Sequence, residues 1–192
     1  MTKLTMPLLL LCTALGLSAV EPAALAVNQS LIDAFVKDVA PADAKRINEV
    51  RTAGYKPGDT VIIRAQIGGR NPPWVPGHAI MLLADQKALK DKCTATCGAP
   101  WDFCSAPVPD LLANTCVVRW LDDEGAKPRQ IGFADMAKIA PLSTVVVTGT
   151  VADVGDPKAL VIDLDGFHLE DRGPFAALMD QQAATSPMQP AQ

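Results

Sequence analysis

Cys93, Cys97, Cys104 and Cys116 follow one another as C-x3-C-x6-C-x11-C. Sulfur at this density serves disulfides, a metal or redox exchange. Zinc knuckles need a short turn that aims two sulfurs at one tetrahedral ion, and a matching second pair. The Cys104/Cys116 spacing forms no such knuckle, and no C-x-x-C redox pair is present. The chain has five cysteines, which become four once Cys12 leaves with the export signal described below, and an even number in an exported chain predicts two disulfides over Cys93, Cys97, Cys104 and Cys116, with three connectivities open.

The chain has two histidines. His78, near Trp74 and Met81, could offer an imidazole and a thioether to Cu(I), but a strand-start histidine beside a core methionine is the simpler expectation. His168, between Phe167 and Leu169, is expected to face away from them. Ser105 and Ser143 lie in no nucleophile elbow, and Asp122, Asp123 and Glu124 read as a solvated turn. No phosphate loop or dinucleotide fingerprint occurs, so no cofactor, no metal site and no enzymatic activity are expected.

Trp74 and Trp101 fall in segments too rich in Pro and Gly for regular structure. Arg70 and Trp74 in one such loop, with Arg64 and Gln66 on the strand before it, form the predicted ligand-binding set. Trp101 is expected to pack over a disulfide in the cysteine loop.

These residues need elements to position them. The first 26 residues read as a secretory signal: Lys3, an apolar run from Pro7 to Val20, then Ala24-Leu25-Ala26 before Val27. The uncharged stretch from Leu4 to Val20 is short for a membrane span, so no transmembrane anchor is expected after cleavage near Ala26. Leu9-Leu10-Leu11-Cys12 loosely resembles a lipobox, but Leu11 stands where a small residue is required. The mature chain is expected in the periplasm or outside the cell. The net charge of −4, with no long basic run, argues against nucleic acid and leaves an envelope ligand or protein as the expected partner.

Residues 27–56 predict a helical N-terminal extension, with helices near 30–39 and 41–52. After the turn at Lys56-Pro57-Gly58-Asp59, Val61, Ile63, Ala65 and Ile67 alternate with Ile62, Arg64 and Gln66 as a half-buried strand. His78 to Ala84 is nearly continuous in apolar residues and predicts a strand buried on both faces. Residues 85–116 form a cysteine loop that runs into the third strand, Thr115 to Leu121, where Cys116, Val118 and Trp120 share a face. Phe133 to Ala140 predicts a short helix, Thr144 to Val151 a fourth strand, and Leu160 onward a fifth whose phase changes at Gly166, the sign of a bulge. Residues 173–192 predict a disordered tail.

Strand, strand, strand, short helix, strand, strand is the order of a five-stranded OB-fold, so residues 57–172 predict a mainly β, OB-fold-like barrel. The segment Cys97-Gly98-Ala99-Pro100-Trp101-Asp102-Phe103-Cys104, with Pro141-Leu142-Ser143-Thr144-Val145-Val146-Val147-Thr148-Gly149, resembles exported bacterial proteins that carry a Pro-Trp-Asp-aromatic-Cys segment in an OB-like domain. Ser105 stands where some of those proteins have a second cysteine, which leaves the pairing open. The resemblance implies a fold and no particular activity; the expected function is an exported, non-enzymatic binding or assembly module. Metal or redox handling through the cysteines is the alternative.

Overall fold

The computed structural model describes residues 29–89, 97–136, 138–155 and 159–185. The expected signal segment, Cys93 and the end of the chain lie outside these residues. Five strands form: β1 Thr60–Ile67, β2 Ile80–Ala84, β3 Thr115–Arg119, β4 Thr144–Asp153 and β5 Leu160–Asp171. They close into a barrel in the order β1-β2-β3-β5-β4, with β3 and β5 parallel and the other pairs antiparallel. The chain is therefore a mainly β, closed five-stranded barrel consistent with an OB-like fold. Closure leaves no long strand edge unpaired.

The period of two decides what fills the barrel. Val61, Ile63, Ala65 and Ile67 of β1 are buried, while Arg64 between them is exposed. β2 departs from the expected two-sided burial: Met81 and Leu83 are buried, but Ile80 and Leu82 are half-buried. Beyond its short pairing with β1, the edge of β2 is paired by the loop segment around Trp74, through Leu82 N–H to Pro73 O (2.7 Å) and Val75 N–H to Ile80 O (2.9 Å). Where β4 meets β5, Thr148 pairs with Gly166 and Gly149 with Leu164, so Asp165 is the extra residue of a bulge. The change of phase at Gly166 is that bulge read from sequence.

Among the described residues six short helices accompany the barrel: α1 Gln29–Phe35, α2 Ile47–Thr52, α3 Gln86–Leu89, α4 Val108–Asn114, α5 Phe133–Met136 and α6 Ala176–Thr185. α1 ends earlier than its apolar period suggested because Val36 bridges Phe167 and Lys37 N–H bonds to Phe167 O at 2.7 Å. Residues before α2 are likewise drawn onto β1, with Lys45 bridging Ile63. The extension is thus a belt around the barrel. Phe35 enters the core and stacks on Trp120 with ring centroids 4.0 Å apart, beside Phe133 and Phe167. With that end filled by aromatic rings and the interior by aliphatic side chains, ligands must meet the barrel on its outside or its loops.

Two expectations are corrected. The 85–116 segment is held by more than cysteines: α3 and α4 pack in it, and Ala84, Leu89, Phe103 and Ala106 form a second small core. Pro107 and Pro109 stand just before and within the first turn of α4, where a missing N–H is harmless. The expected disordered tail from 173 contains α6. Ala, Leu, Met and Gln are good helix formers, and Arg172 makes a two-pronged ion pair with Asp180 (3.0 and 2.8 Å). Each partner keeps the other charged, Arg172 held above and Asp180 below its ordinary range by that hydrogen bond. No helix among the described residues is long and apolar enough to cross a membrane.

Candidate functional site

The predicted ligand set does not assemble in one place. Trp74 lines one cleft, Arg64 and Gln66 line another, and Arg70 is exposed on the β1–β2 loop with no ion-pair partner among the described residues.

The first cleft, about 250 Å³, is walled by Pro72, Pro73, Trp74, Trp101, Phe175 and Met179. Four segments distant in sequence build it: the β1–β2 loop, the cysteine loop, Pro141 ahead of β4, and the start of α6. Gly68 and Gly69 let the first two meet. Gly69 N–H donates to Trp101 O at 2.8 Å, and a Cβ on Gly68 would stand 2.9 Å from that same oxygen. Trp101 packs edge-on against Phe175, centroids 4.9 Å apart, rather than over a disulfide. Its Nε1–H is buried with no acceptor among the described residues. Trp101's place beside Trp74, and the contributions of Phe175 and Met179, were not legible in sequence: the last two sit in a segment with no apolar stripe.

The second cleft, about 220 Å³, lies at the end of β1 where Gln66 pairs with Ala84 on one side and Thr144 on the other. Arg46 holds Asp85 through Nε and Nη2 at 2.8 and 2.9 Å. Hydrogen bonding to Asp85 outweighs desolvation and raises the Arg46 guanidinium further above its already high range. Asp85, only 5 % exposed, also accepts from Lys87 N–H at 3.1 Å, so its carboxylate is satisfied within the fold. Arg64 makes a second two-pronged pair, with Glu170 on β5 (2.6 and 3.0 Å). Arg46, Asp85 and Lys87 are cleft residues that sequence reasoning missed, because their meeting depends on the extension wrapping the barrel.

The cysteines also differ from expectation. Cys116 is a free thiol buried in the barrel interior, not one end of a disulfide. It points inward with Val118 and Trp120, as the alternation of β3 already indicated. Burial pushes its thiol up to about 12. The neutral form is the one the fold tolerates, so this contribution to stability is complete below the ~8.5 of an unfolded cysteine and is lost as pH rises from there toward 12. Native protein at pH 8 should leave Cys116 unlabelled by iodoacetamide while exposed Cys104 reacts under reducing conditions; rapid labelling of Cys116 would mean the barrel opens there. Cys97 Sγ and Cys104 Sγ are 3.5 Å apart, in contact and beyond bonding distance. No cysteine pair among the described residues is at bonding distance.

His78 is exposed, its Nδ1 3.1 Å from Pro76 O, while Met81 is fully buried in the barrel, so the two do not form a copper pair. His168 is half-buried and its ring is fixed by Nδ1 2.7 Å from Lys37 O. Among the described residues no group of three His, Cys, Asp or Glu side chains is placed to hold a metal ion.

No family model and no curated protein matches the sequence. A crystal structure provisionally assigned as an aspartyl-tRNA synthetase from Leishmania major Friedlin aligns with 76% of this chain at 14% identity and a TM-score of 0.41. The alignment spans 25% of that longer chain.

Proposed function

We propose that this protein is an exported, non-enzymatic binding or assembly module of the bacterial envelope, periplasmic or secreted, whose ligand surface is the Trp74–Trp101 cleft. The observation that carries the reading is the convergence of Trp74, Trp101 and Phe175 on one cleft, where Trp101 also keeps a buried indole N–H with no acceptor among the described residues. Leaving a buried donor without a partner costs about 1–3 kcal/mol, a cost that a ligand carbonyl would remove. Pro, Trp, Phe and Met walls offer rigid contact area and no general acid, base or nucleophile. This chemistry suits an extended segment of a partner protein, with carbonyl acceptors and apolar side chains, better than a sugar, whose hydroxyls would find few partners there. The leader-like first 26 residues support export. Arg70, exposed on the loop that carries Trp74, would lie toward the rim.

The test is a panel of extended peptides, proline-containing ones included, titrated by tryptophan fluorescence. Trp74→Ala and Trp101→Ala should each weaken any bound peptide by about tenfold or more, as central aromatic anchors do. Val39→Ala, on a residue 78 % exposed, should leave binding unchanged. Peptides that bind both tryptophan variants as well as the parent would move the site elsewhere.

A second reading, redox handling through the cysteines, is supported by the 3.5 Å contact of Cys97 and Cys104. Exchange with a partner disulfide would oxidise both thiols to one bond and reduce the partner to two thiols. Alkylation under denaturing, non-reducing conditions, followed by digestion, should then find Cys97 joined to Cys104 and Cys116 alkylated. Alkylated Cys97 and Cys104 in protein taken directly from the envelope would sink the linkage. Stoichiometric zinc or copper lost on Cys→Ser substitution would instead favour metal handling.

A further inference from the structure

We infer that the cleft at the end of β1 is a second ligand site, one that takes a carboxylate carrying a hydrogen-bond donor on its α carbon. Its lining includes Arg46, Arg64, Gln66, Asp85, Lys87 and Thr144, and it shares no residue with the tryptophan cleft.

Charge sets the first requirement. Asp85 offsets Arg46, and Glu170 offsets Arg64, each through a two-pronged pair. Lys87 is exposed and has no ion-pair partner among the described residues. Glu49 also acts on Arg46 from outside the lining, so the uncompensated cation among the lining residues is Lys87, beside two guanidinium groups already held in fixed orientation. An anion complements it, and a carboxylate matches the planar donor forks of arginine.

Hydrogen bonding sets the second. Gln66 reaches Thr144 Oγ1 only at 3.5 Å through Nε2, and its Oε1 is buried with no partner among the described residues. Both neighbouring strands are already paired to β1 here, so backbone movement cannot readily supply a donor. Turned over, the amide would accept from Thr144 Oγ1 and leave its nitrogen in the unpartnered position, so one polar atom of Gln66 stays unsatisfied in either orientation. In the orientation described, a ligand N–H or O–H next to the carboxylate would satisfy Oε1.

Size sets the third. A space of about 220 Å³ is room for one terminal residue or a small acid. Two sources share this chemistry: a peptide C-terminus, whose donor is the amide, and a free α-hydroxy acid, whose donor is the hydroxyl.

Isotope-labelled full-length mature protein, titrated by NMR, separates them. N-acetyl-L-alanine stands for the peptide end and L-lactate for the hydroxy acid; N-acetyl-L-alaninamide lacks the charge and acetate lacks the donor. At least one of the first two should shift the Gln66 side-chain amide saturably, and the one that binds tighter identifies the source. The amide-capped compound and acetate should each bind about tenfold more weakly or worse. Gln66→Leu and Lys87→Gln should each weaken the favoured acid by about tenfold without lowering the melting temperature; Lys87 is exposed, so its variant keeps the fold. Absence of a saturable shift at the Gln66 amide, equal binding of acetate, or full affinity in the Lys87 variant would overturn the assignment.

Discussion

Phe35→Ala should lower the unfolding free energy by about 3–5 kcal/mol, the range for truncating a buried aromatic ring. Phe35 is 4 % exposed and lies parallel to Trp120 at 4.0 Å, within 6.4 Å of the Phe133 and Phe167 rings. Deleting the ring removes its buried area and leaves a hole among three other aromatic groups that the closed barrel cannot collapse to fill. A domain of this size is stable by only about 5–15 kcal/mol, so the loss is a large share of the whole. Urea denaturation of the mature chain measures it, with Val39→Ala as the exposed control expected within about 0.5 kcal/mol of the parent. A loss under 1 kcal/mol would mean that the N-terminal extension is an appendage and that the barrel is closed without it. The functional consequence is that truncation through residue 35 should open the barrel end, so binding measured on such a truncated chain would not report on the protein.

Gly149→Ala should destabilise by about 3 kcal/mol, the upper part of the range for overpacking. The sign is notable because glycine to alanine in a permissive backbone normally stabilises, by about 0.4–1 kcal/mol. At Gly149 a Cβ would stand 2.3 Å from Asp163 O, 3.0 Å from Asp163 C and 2.8 Å from Ile162 Cγ2. Two of those atoms belong to the β5 backbone and cannot rotate away. The register shift between Thr148 and Gly149, opposite the Asp165 bulge, brings the strands this close. Relief would need β4 and β5 to part where the barrel closes. Gly98→Ala is the contrast: nothing lies within 4 Å of its Cβ position, and the change should be neutral or stabilising in the same denaturation experiment. If Gly149→Ala unfolds at the parent's urea midpoint, the close approach of the two strands is not as described.

What could be read without a fold was whatever depends on neighbours in the chain. Alternation of two marks β1, β3 and β4, the slip of phase at Gly166 marks the bulge, and the order of strands marks the closed barrel. The same alternation placed Cys116 with Val118 and Trp120 on one face, which the fold turns inward, although the even count of cysteines after signal cleavage pointed to a disulfide. Burial on a strand is a local pattern; partnership between thiols is a distance, and counting does not supply distances. Side-chain direction is likewise local, so Arg64 and Gln66 were legible as outward-facing, but whether they meet Trp74 depends on how the loop leaves β1. Pro73 to Val75 fold back along β2 and carry Trp74 toward Trp101 and Phe175, while Arg64 and Gln66 meet Arg46 and Asp85 instead. Sequence alone thus determined the closed barrel and which side chains point out of it. Tertiary structure decided which of those side chains share a cleft, because each cleft joins segments tens of residues apart whose approach is set by close backbone contacts and ion pairs between distant segments, and no local periodicity encodes such contacts.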